Sequence, residues 1–230
     1  LLLSYIYQMN NVICLWSCPR NVSTALMYSF AQRSDTEVFD EVLYAHYLSE
    51  SKADHPGREK VLALQDNDGN KVIESIILKN RSKISFHKLM THFLVNLNTN
   101  FLKKVQNIIF IRNPEEIIFS YNKVILNPTI EDIGVNKQYE LYHNLIKMRK
   151  TPIVLDSKYL LRSPELVLHK LCLLLEIPFD NNGLFTCLGG AEGVVEGEIV
   201  FGENGNTEPN LVFALSKVPV SPNLIEAVAV

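Results

Sequence analysis

The chain alternates short apolar runs with longer segments in which apolar residues recur at helical spacing. The runs have strand length and are rich in β-branched and aromatic residues. They lie at Val12–Trp16, Val38–Phe39, Lys83–Phe86, Asn107–Ile111 and Pro152–Leu155. Strands that alternate with amphipathic segments are typical of βαβ units. The pattern predicts an α/β fold, with a doubly wound, mostly parallel sheet of about five core strands and helices on both faces.

Two helix starts are marked by a proline that follows a capping residue. The motifs are Asn-Pro-Glu-Glu at 113–116 and Ser-Pro-Glu at 163–165. Proline suits the first helical position, where an N–H group would lack a partner, and acids in the first turn favour the helix dipole. We therefore expect helices to begin there. The other predicted segments are helices over Leu166–Leu175 and Asn136–Arg149 and loops over Ser51–Arg58 and Gln65–Asn70.

The composition changes near residue 180. Beyond it the helical periodicity is lost and glycines become frequent, at 189, 190, 193, 197, 202 and 205. We expect one domain over 9–180 and a divergent tail over 181–230, either a small hairpin around Gly197–Gly205 or a poorly ordered segment. The apolar start, 1–8, lacks the basic leader and the cleavage site of a signal peptide, and Met9 is a plausible start.

Charge and cysteine usage exclude several classes of protein. The formal net charge of the 230 residues is −3, which argues against general nucleic-acid binding through a large positive surface. The four cysteines form no CxxC pair, so buried thiols are favoured over a zinc site or disulfides, and a reducing, cytoplasmic location is expected. No apolar run approaches the roughly 20 residues that span a bilayer. The cysteines are Cys14, Cys18, Cys172 and Cys187.

The segment that follows the first predicted strand has the features of an anion site. It reads Ser-Cys-Pro-Arg-Asn-Val-Ser-Thr-Ala-Leu over 17–26 and leads into a helix. The first N–H groups of a helix lack internal partners, and the dipole makes that end partly positive. Arg20, Ser23 and Thr24 at this end suit a phosphate or a sulfate. The GxxxxGK[ST] loop of ATP- and GTP-binding proteins is absent, which disfavours a nucleotide or sugar kinase.

A second anion pattern follows the fourth predicted strand. Arg112 leaves the strand at the carboxyl edge of the sheet, where ligands of open α/β folds bind. Pro114 opens the next helix, and Ser120 lies about two turns along it. Charge-assisted hydrogen bonds contribute about 1.5–3 kcal/mol each, so Arg112 and a hydroxyl on the helix form a credible phosphate clamp.

These motifs resemble those of the sulfotransferase family. Pro19-Arg20-x-x-Ser23-Thr24 resembles the loop that grips the 5′-phosphosulfate of 3′-phosphoadenosine 5′-phosphosulfate, with Arg20 where the family often has Lys and Val22 where it often has Gly. Arg-x-Pro-x5-Ser resembles the motif that holds the 3′-phosphate. The resemblance implies a P-loop-NTPase-like fold and this nucleotide as co-substrate, without a metal. The implied nucleotide-binding residues are Pro19, Arg20, Asn21, Val22, Ser23, Thr24, Ala25, Arg112 and Ser120.

Further segments follow in the order and spacing of one bacterial and plant branch of the family, whose loop reads Pro-Arg-Asn-Val-Ser-Thr-Ala-Leu. They span 40–47, 86–92 and 155–165, and the resemblance covers about Asn11–Asp180. Sulfuryl transfer requires an aligned donor, a stabilised leaving group and a base. Arg20 is the candidate for stabilising the leaving phosphate, and Glu41 is the first candidate for the base. His46 and His92 are the alternative bases, and Lys88 is a candidate contact of the sulfonate or the acceptor.

The sequence thus predicts a sulfotransferase that modifies a hydroxyl or an amine of a small acceptor. The alternative is a non-catalytic nucleotide-binding or interaction module on the same fold. It is motivated by the tail, in which Lys217 is the only Lys or Arg among several glutamates, where many sulfotransferases have a basic loop. The sequence leaves the acceptor and the oligomeric state open.

Overall fold

A computed structural model describes residues 11–53, 55, 57–122 and 129–181. The strands are β1 (Val12–Ser17), β2 (Thr36–Asp40), β3 (Ile84–Met90), β4 (Gln106–Ile111) and β5 (Ile153–Asp156). The helices are α1 (Ser23–Ala31), α2 (Tyr44–Ser51), α3 (Arg58–Leu64), α4 (Gly69–Val72), α5 (Pro114–Tyr121), α6 (Ile130–Ile133), α7 (Val135–Lys147), α8 (Ser157–Arg162) and α9 (Pro164–Leu174). A π-helical turn, Ile73–Ile77, continues α4, and 3₁₀ turns lie at Thr91–Phe93 and Thr99–Lys104. The hairpin predicted around Gly197–Gly205, like the rest of the tail after residue 181, lies outside the described residues.

The five strands form one sheet in the order β2-β3-β1-β4-β5, and every neighbouring pair is parallel. This confirms the predicted α/β class and the five core strands. The helix after β1 packs on one face of the sheet, and α7, which follows β4, packs on the other. The chain therefore reverses its direction of winding between β1 and β4. In open α/β sheets the crevice at such a reversal, outside the carboxyl ends of the strands, is where ligands bind.

The central strand β1 is buried on both faces, as its continuous apolar sequence requires. Its side chains alternate between two cores: Cys14 and Trp16 pack with α7, and Ile13 and Leu15 pack with α1 and α9. The Trp16 indole N–H donates to Asn107 Oδ1 on β4 at 2.9 Å, so the one polar group of the indole is paired in the core.

Several predicted boundaries differ from the structure. Strand β3 extends to Met90, although the apolar run stops at Phe86, because the polar residues His87 and Lys88 are buried within the strand. The predicted loop at 51–58 is shorter than expected, since α2 reaches Ser51 and α3 starts at Arg58. Asn113 caps α5 as predicted, with its side chain accepting from the Glu115 N–H group at 2.9 Å.

In contrast, Ser163 precedes Pro164 at the start of α9 without a side-chain cap bond. None of the helices over the described ranges is both long and apolar enough to cross a membrane.

Candidate functional site

The two predicted anion motifs meet at the carboxyl ends of β1 and β4. Arg112 Nη1 donates to the main-chain carbonyl of Arg20 at 2.5 Å. Arg20 Nε in turn donates to Ser120 Oγ on α5 at 2.9 Å. Residues 92 and 100 positions apart in the chain are therefore in direct contact. Arg20 and Arg112 therefore lie on the same rim of the sheet.

The loop over 18–22 is fastened to β4 by buried amide groups. Asn21 Nδ2 donates to the Phe110 carbonyl at 2.7 Å, and Gln138 Nε2 on α7 donates to the same carbonyl at 2.8 Å. Gln138 also reaches the Trp16 carbonyl at 3.3 Å. Sequence reasoning missed Gln138. The available signal was its place on the apolar face of α7, between Val135 and Leu141, where a polar residue needs a buried partner.

The main chain of this loop is strained. Arg20 (φ 62°) and Val22 (φ 58°) both adopt the left-handed conformation, which is unfavourable for a β-branched residue such as valine. Val22 is the N-cap residue of α1, and no side chain in the described part of the chain caps this helix. The first turn of α1 contains no acid. Strain of this kind often lies at binding sites, where the surrounding structure maintains it.

The turn after β4 is built differently. Asn113 caps α5, Pro114 occupies the first turn, and Glu115 and Glu116 are acidic. Glu116 Oε2 also accepts from Arg112 Nε at 2.9 Å. The N-terminus of α5 is thus already capped and acidic, so at this turn the Arg112 side chain, rather than the helix end, is the group suited to an anion.

A second cluster lies at the carboxyl ends of β2 and β3. Lys88 Nζ donates to Asp40 Oδ1 at 2.8 Å and to Glu41 Oε1 at 2.6 Å. The Lys88 side chain is only 5% exposed. Burial by itself lowers the pKa of an ammonium group, but the charges and hydrogen bonds of Glu41 and Asp40 outweigh it and raise the pKa of Lys88. The lysine is thus a buried partner of the candidate base, and its contact with the sulfonate or the acceptor stays a prediction.

The geometry of His46 is that of a structural residue. It is 5% exposed, and the N–H group of Gly69 donates to its Nδ1 at 3.2 Å. Its Nε2 lies 2.7 Å from the Val95 carbonyl, to which it donates in this tautomer. Both ring nitrogens are therefore engaged by the main chain. These contacts favour a structural role for His46, and its role as an alternative base stays a prediction.

His92 lies next to the anion loop. Its ring packs against Tyr47 and Phe93, with centroids 4.9 Å away in both cases. Desolvation by burial, with a smaller contribution from the charge of His55, lowers the pKa of His92 to about 4. Its Nδ1 has no hydrogen-bond partner among the described residues. The same atom would lie 3.4 Å from the Cβ atom of any residue that replaced Gly134. His92 is thus a neutral imidazole held in an aromatic setting.

Aromatic side chains border Glu41 on the side of α2. Tyr44 and Tyr47 are partly buried and stack on Phe93, with centroids 5.4 Å and 5.1 Å away. Burial, assisted by the nearby Glu41 charge, raises the pKa of Tyr44 to about 12. Its hydroxyl contacts His55 Nδ1 at 2.5 Å. Sequence reasoning gave His55 no role, since nothing in its surroundings along the chain distinguishes it.

Within the described ranges no group of three or more His, Cys, Asp or Glu side chains is arranged to hold a metal ion. Cys14, Cys18 and Cys172 are free and buried. Burial raises the pKa of Cys18 to about 12, so this thiol, two residues before Arg20, is unreactive near neutral pH.

Comparison with known proteins decides the family. The sequence profile described as "Sulfotransferase domain" matches residues 11–199, which is most of the chain. The chain belongs to the sulfotransferase family. The matched range includes the rim residues that follow β1 and β4 and the cluster formed by Asp40, Glu41 and Lys88.

Two Arabidopsis thaliana proteins are similar to this sulfotransferase chain. Branched-chain-amino-acid aminotransferase-like protein 1 is 40% identical over 177 residues, and its homologue, protein 2, is 39% identical over 176 residues. Each match covers 75% of this chain and 31% of the relative. The chain thus spans about a third of the length of these curated relatives, and their names describe much longer proteins.

A solved sulfotransferase shares the fold. The crystal structure of a sulfotransferase from Alicyclobacillus acidocaldarius matches with a TM-score of 0.53 and 11% identity, over 73% of this chain and 81% of that one. The sulfotransferase domain from the curacin biosynthetic pathway matches with a TM-score of 0.49 and 15% identity, over 76% and 77% of the two chains. At such low identity the first match supports the fold and leaves the roles of the individual side chains as predictions.

Proposed function

We propose that this chain transfers a sulfuryl group from 3′-phosphoadenosine 5′-phosphosulfate to a hydroxyl or an amine of a small acceptor by in-line displacement. The observation that carries the proposal is the direct contact between the loop after β1 and Arg112 after β4. A nucleotide with anionic groups at both ends needs cations for both ends on one side of the molecule, and the contact of the Arg20 loop with Arg112 supports this requirement. Family membership supports the chemistry.

The donor nucleotide would lie across the rim. The uncapped N-terminus of α1 and the exposed Arg20 side chain would hold the 5′-phosphosulfate, with the loop residues from Pro19 to Ala25 around it. Arg112 and Ser120 would hold the 3′-phosphate. A guanidinium group remains charged at neutral pH, so Arg20 can neutralise the leaving phosphate but cannot protonate it.

Glu41 is the proposed base. It follows β2 at the same edge of the sheet, two strands from β1, and adjacent strands lie about 4.8 Å apart. A separation of about 10 Å leaves room for an acceptor between the base and the donor. The acceptor oxygen or nitrogen would attack the sulfur as its proton passes to the Glu41 carboxylate. The bond from sulfur to the bridging oxygen breaks, and the desulfonated nucleotide leaves.

The assigned 3′-phosphate role is tested with Arg112→Ala. Calorimetry should show that 3′-phosphoadenosine 5′-phosphate binds about 10- to 100-fold more weakly, as expected for the loss of a charge-assisted bond pair. Adenosine 5′-phosphate should lose no more than about threefold. Lys104→Ala is the matched control, because it removes an exposed cation at the opposite end of β4 and should change neither affinity. Equal losses for the two nucleotides would refute the role.

The acid-rich tail favours one competing function, a module that binds the nucleotide without turnover. A transfer assay with labelled donor over a panel of phenols, alcohols and amines distinguishes the two. Binding without transfer to any acceptor supports the module, and absent binding removes both. The buried free cysteines support a reducing compartment such as the cytoplasm as the place of action.

A further inference from the structure

Two consecutive acids contact one buried cation at the end of β2. Lys88 Nζ lies 2.8 Å from Asp40 Oδ1 and 2.6 Å from Glu41 Oε1. The Lys88 side chain is 5% exposed, whereas the Asp40 and Glu41 side chains are 49% and 27% exposed. The ammonium group is therefore inside the protein, and the two carboxylates lie between it and solvent.

The main chain is shaped to produce this arrangement. Successive residues of an extended strand point to opposite faces of the sheet, so Asp40 and Glu41 would normally diverge. Glu41 instead adopts the left-handed conformation (φ 49°), which interrupts the alternation. Its N–H group donates to the Lys88 carbonyl at 2.8 Å and fixes the turn. A non-glycine residue in this region is strained, and such strain persists where the surroundings maintain it.

The cluster of Lys88 with two carboxylates suits a base better than an ion pair of Lys88 and Glu41 alone. If Glu41 were the only partner of Lys88, each proton that it accepted would leave a buried ammonium group without a counter-ion, and such a charge is strongly destabilising. With Asp40 present, protonation of Glu41 leaves a neutral pair of Lys88 and Asp40. The cluster carries one excess negative charge before proton uptake and none after it.

We propose that Asp40 is a positioning residue that retains the Lys88 ammonium group while Glu41 receives the proton of the acceptor. The inference rests on the proposed function, in which Glu41 is the base. In the step, the acceptor proton moves to a Glu41 carboxylate oxygen, Lys88 keeps its three protons, and its hydrogen bond to Asp40 becomes the charge-neutralising contact. Oxidation states do not change.

The other groups that face Glu41 keep their charge state over the working range. Lys88 lies opposite on β3 and Tyr44 faces Glu41 from α2, and the pKa of each is raised. A further ionisable side chain, His55, lies beyond Tyr44, with its Nδ1 2.5 Å from the Tyr44 hydroxyl. His55→Gln therefore serves as the control for any pH dependence that does not arise in the carboxylate pair.

The first test needs no activity. NMR of the labelled lysine side chains follows the Lys88 ammonium group in Glu41→Gln, which mimics the protonated base. We expect Lys88 to stay charged to high pH in this variant, because Asp40 retains it. In Asp40→Asn/Glu41→Gln, burial is unopposed and Lys88 should lose its proton at lower pH. If Glu41→Gln alone behaves like the double variant, Asp40 does not retain the ammonium group and the proposal is wrong.

The second test uses turnover. Asp40→Asn should lower kcat by at least about tenfold and shift the acid limb of the pH profile to lower pH, since Glu41 then remains the only counter-ion of Lys88. Affinity for 3′-phosphoadenosine 5′-phosphate should be unchanged, Asp40→Glu should restore part of kcat, and His55→Gln should leave the limb in place. An unchanged kcat and limb in Asp40→Asn would overturn the proposal. Full activity of Glu41→Gln would instead remove Glu41 as the base, a failure of the proposed function that leaves the NMR result unaffected.

Discussion

The turns after β1 and after β4 lie side by side at the rim, yet they differ in almost every local feature. The first turn is left-handed at Arg20 and Val22 and leads into α1 without a side-chain cap from any described residue. The second is capped by Asn113 and carries two glutamates in the first turn of α5. One turn leaves its helix end without a side-chain cap, and the other caps its helix end and places the Arg112 side chain at the rim.

The difference indicates where the fold gives up stability. A residue held in a rarely populated conformation costs of order 1–3 kcal/mol, whereas a capping side chain contributes about 1 kcal/mol. The turn after β1 has the cost of the rarely populated conformation without the stabilisation from a capping side chain. A bound phosphosulfate would supply the missing hydrogen-bond acceptors for α1, so the nucleotide is expected to stabilise this turn more than its neighbour.

The largest expected effect comes from giving α1 the acid that α5 already has. Thr24→Glu places a carboxylate in the first turn of α1, at a partly exposed position. Two charges about 4 Å apart near a protein surface interact by about 4 kcal/mol, so 3′-phosphoadenosine 5′-phosphate should bind at least about 100-fold more weakly. Calorimetry measures the loss.

The matched control for this change is Thr24→Gln, which has the same shape without the charge and should lose no more than about tenfold. Because an acid in the first turn favours the helix dipole, the melting temperature of Thr24→Glu should not fall. A lower melting temperature with an equal loss of binding in both variants would mean that Thr24 supports the loop rather than faces the anion.

The sequence predicts those features of the rim that depend on neighbouring residues in the chain. The strands β1, β4 and β5 and the Asn113 cap follow from apolar runs and a short motif. The left-handed Val22 could not be predicted, because a valine normally disfavours that conformation and only the contacts of the folded loop maintain it. For Arg112 and Arg20, the sequence predicted only that both lie at the carboxyl edge of the sheet, and not the hydrogen bond between them. The joint binding of Lys88 by Asp40 and Glu41 was not predicted, since it depends on the register of β2 and β3 and on the turn at Glu41.

The strain in the first turn is measurable by comparing two valines. Val22 and Val38 are both partly buried and pack on the same core as α1, but Val38 lies in strand β2. Val38→Gly should lose packing and strand preference, whereas Val22→Gly should lose packing and be relieved of strain. We expect Val22→Gly to be less destabilising by about 2 kcal/mol in urea unfolding. Equal losses would show that Val22 carries no strain.

The smallest expected effect concerns the acid that borders Arg112. Glu116 accepts from Arg112 Nε at 2.9 Å, and its side chain is 48% exposed, so under the proposed function it would compete with the 3′-phosphate for the same guanidinium group. Glu116→Gln keeps a hydrogen-bond acceptor but removes the charge. We expect 3′-phosphoadenosine 5′-phosphate to bind about threefold more tightly at low salt, with the gain shrinking as salt screens the pair.

Glu115→Gln is the control, because it removes a charge from the same exposed turn without removing the ion-pair partner of Arg112. Adenosine 5′-phosphate should bind equally to both variants, since it lacks the 3′-phosphate. A weaker affinity for the bisphosphate in Glu116→Gln would reverse the interpretation of this turn. Glu116 would then be the group that orients Arg112 toward the ligand. The acids of α5 would in that case assist anion binding indirectly, whereas the first turn of α1 would favour an anion because it contains no acid.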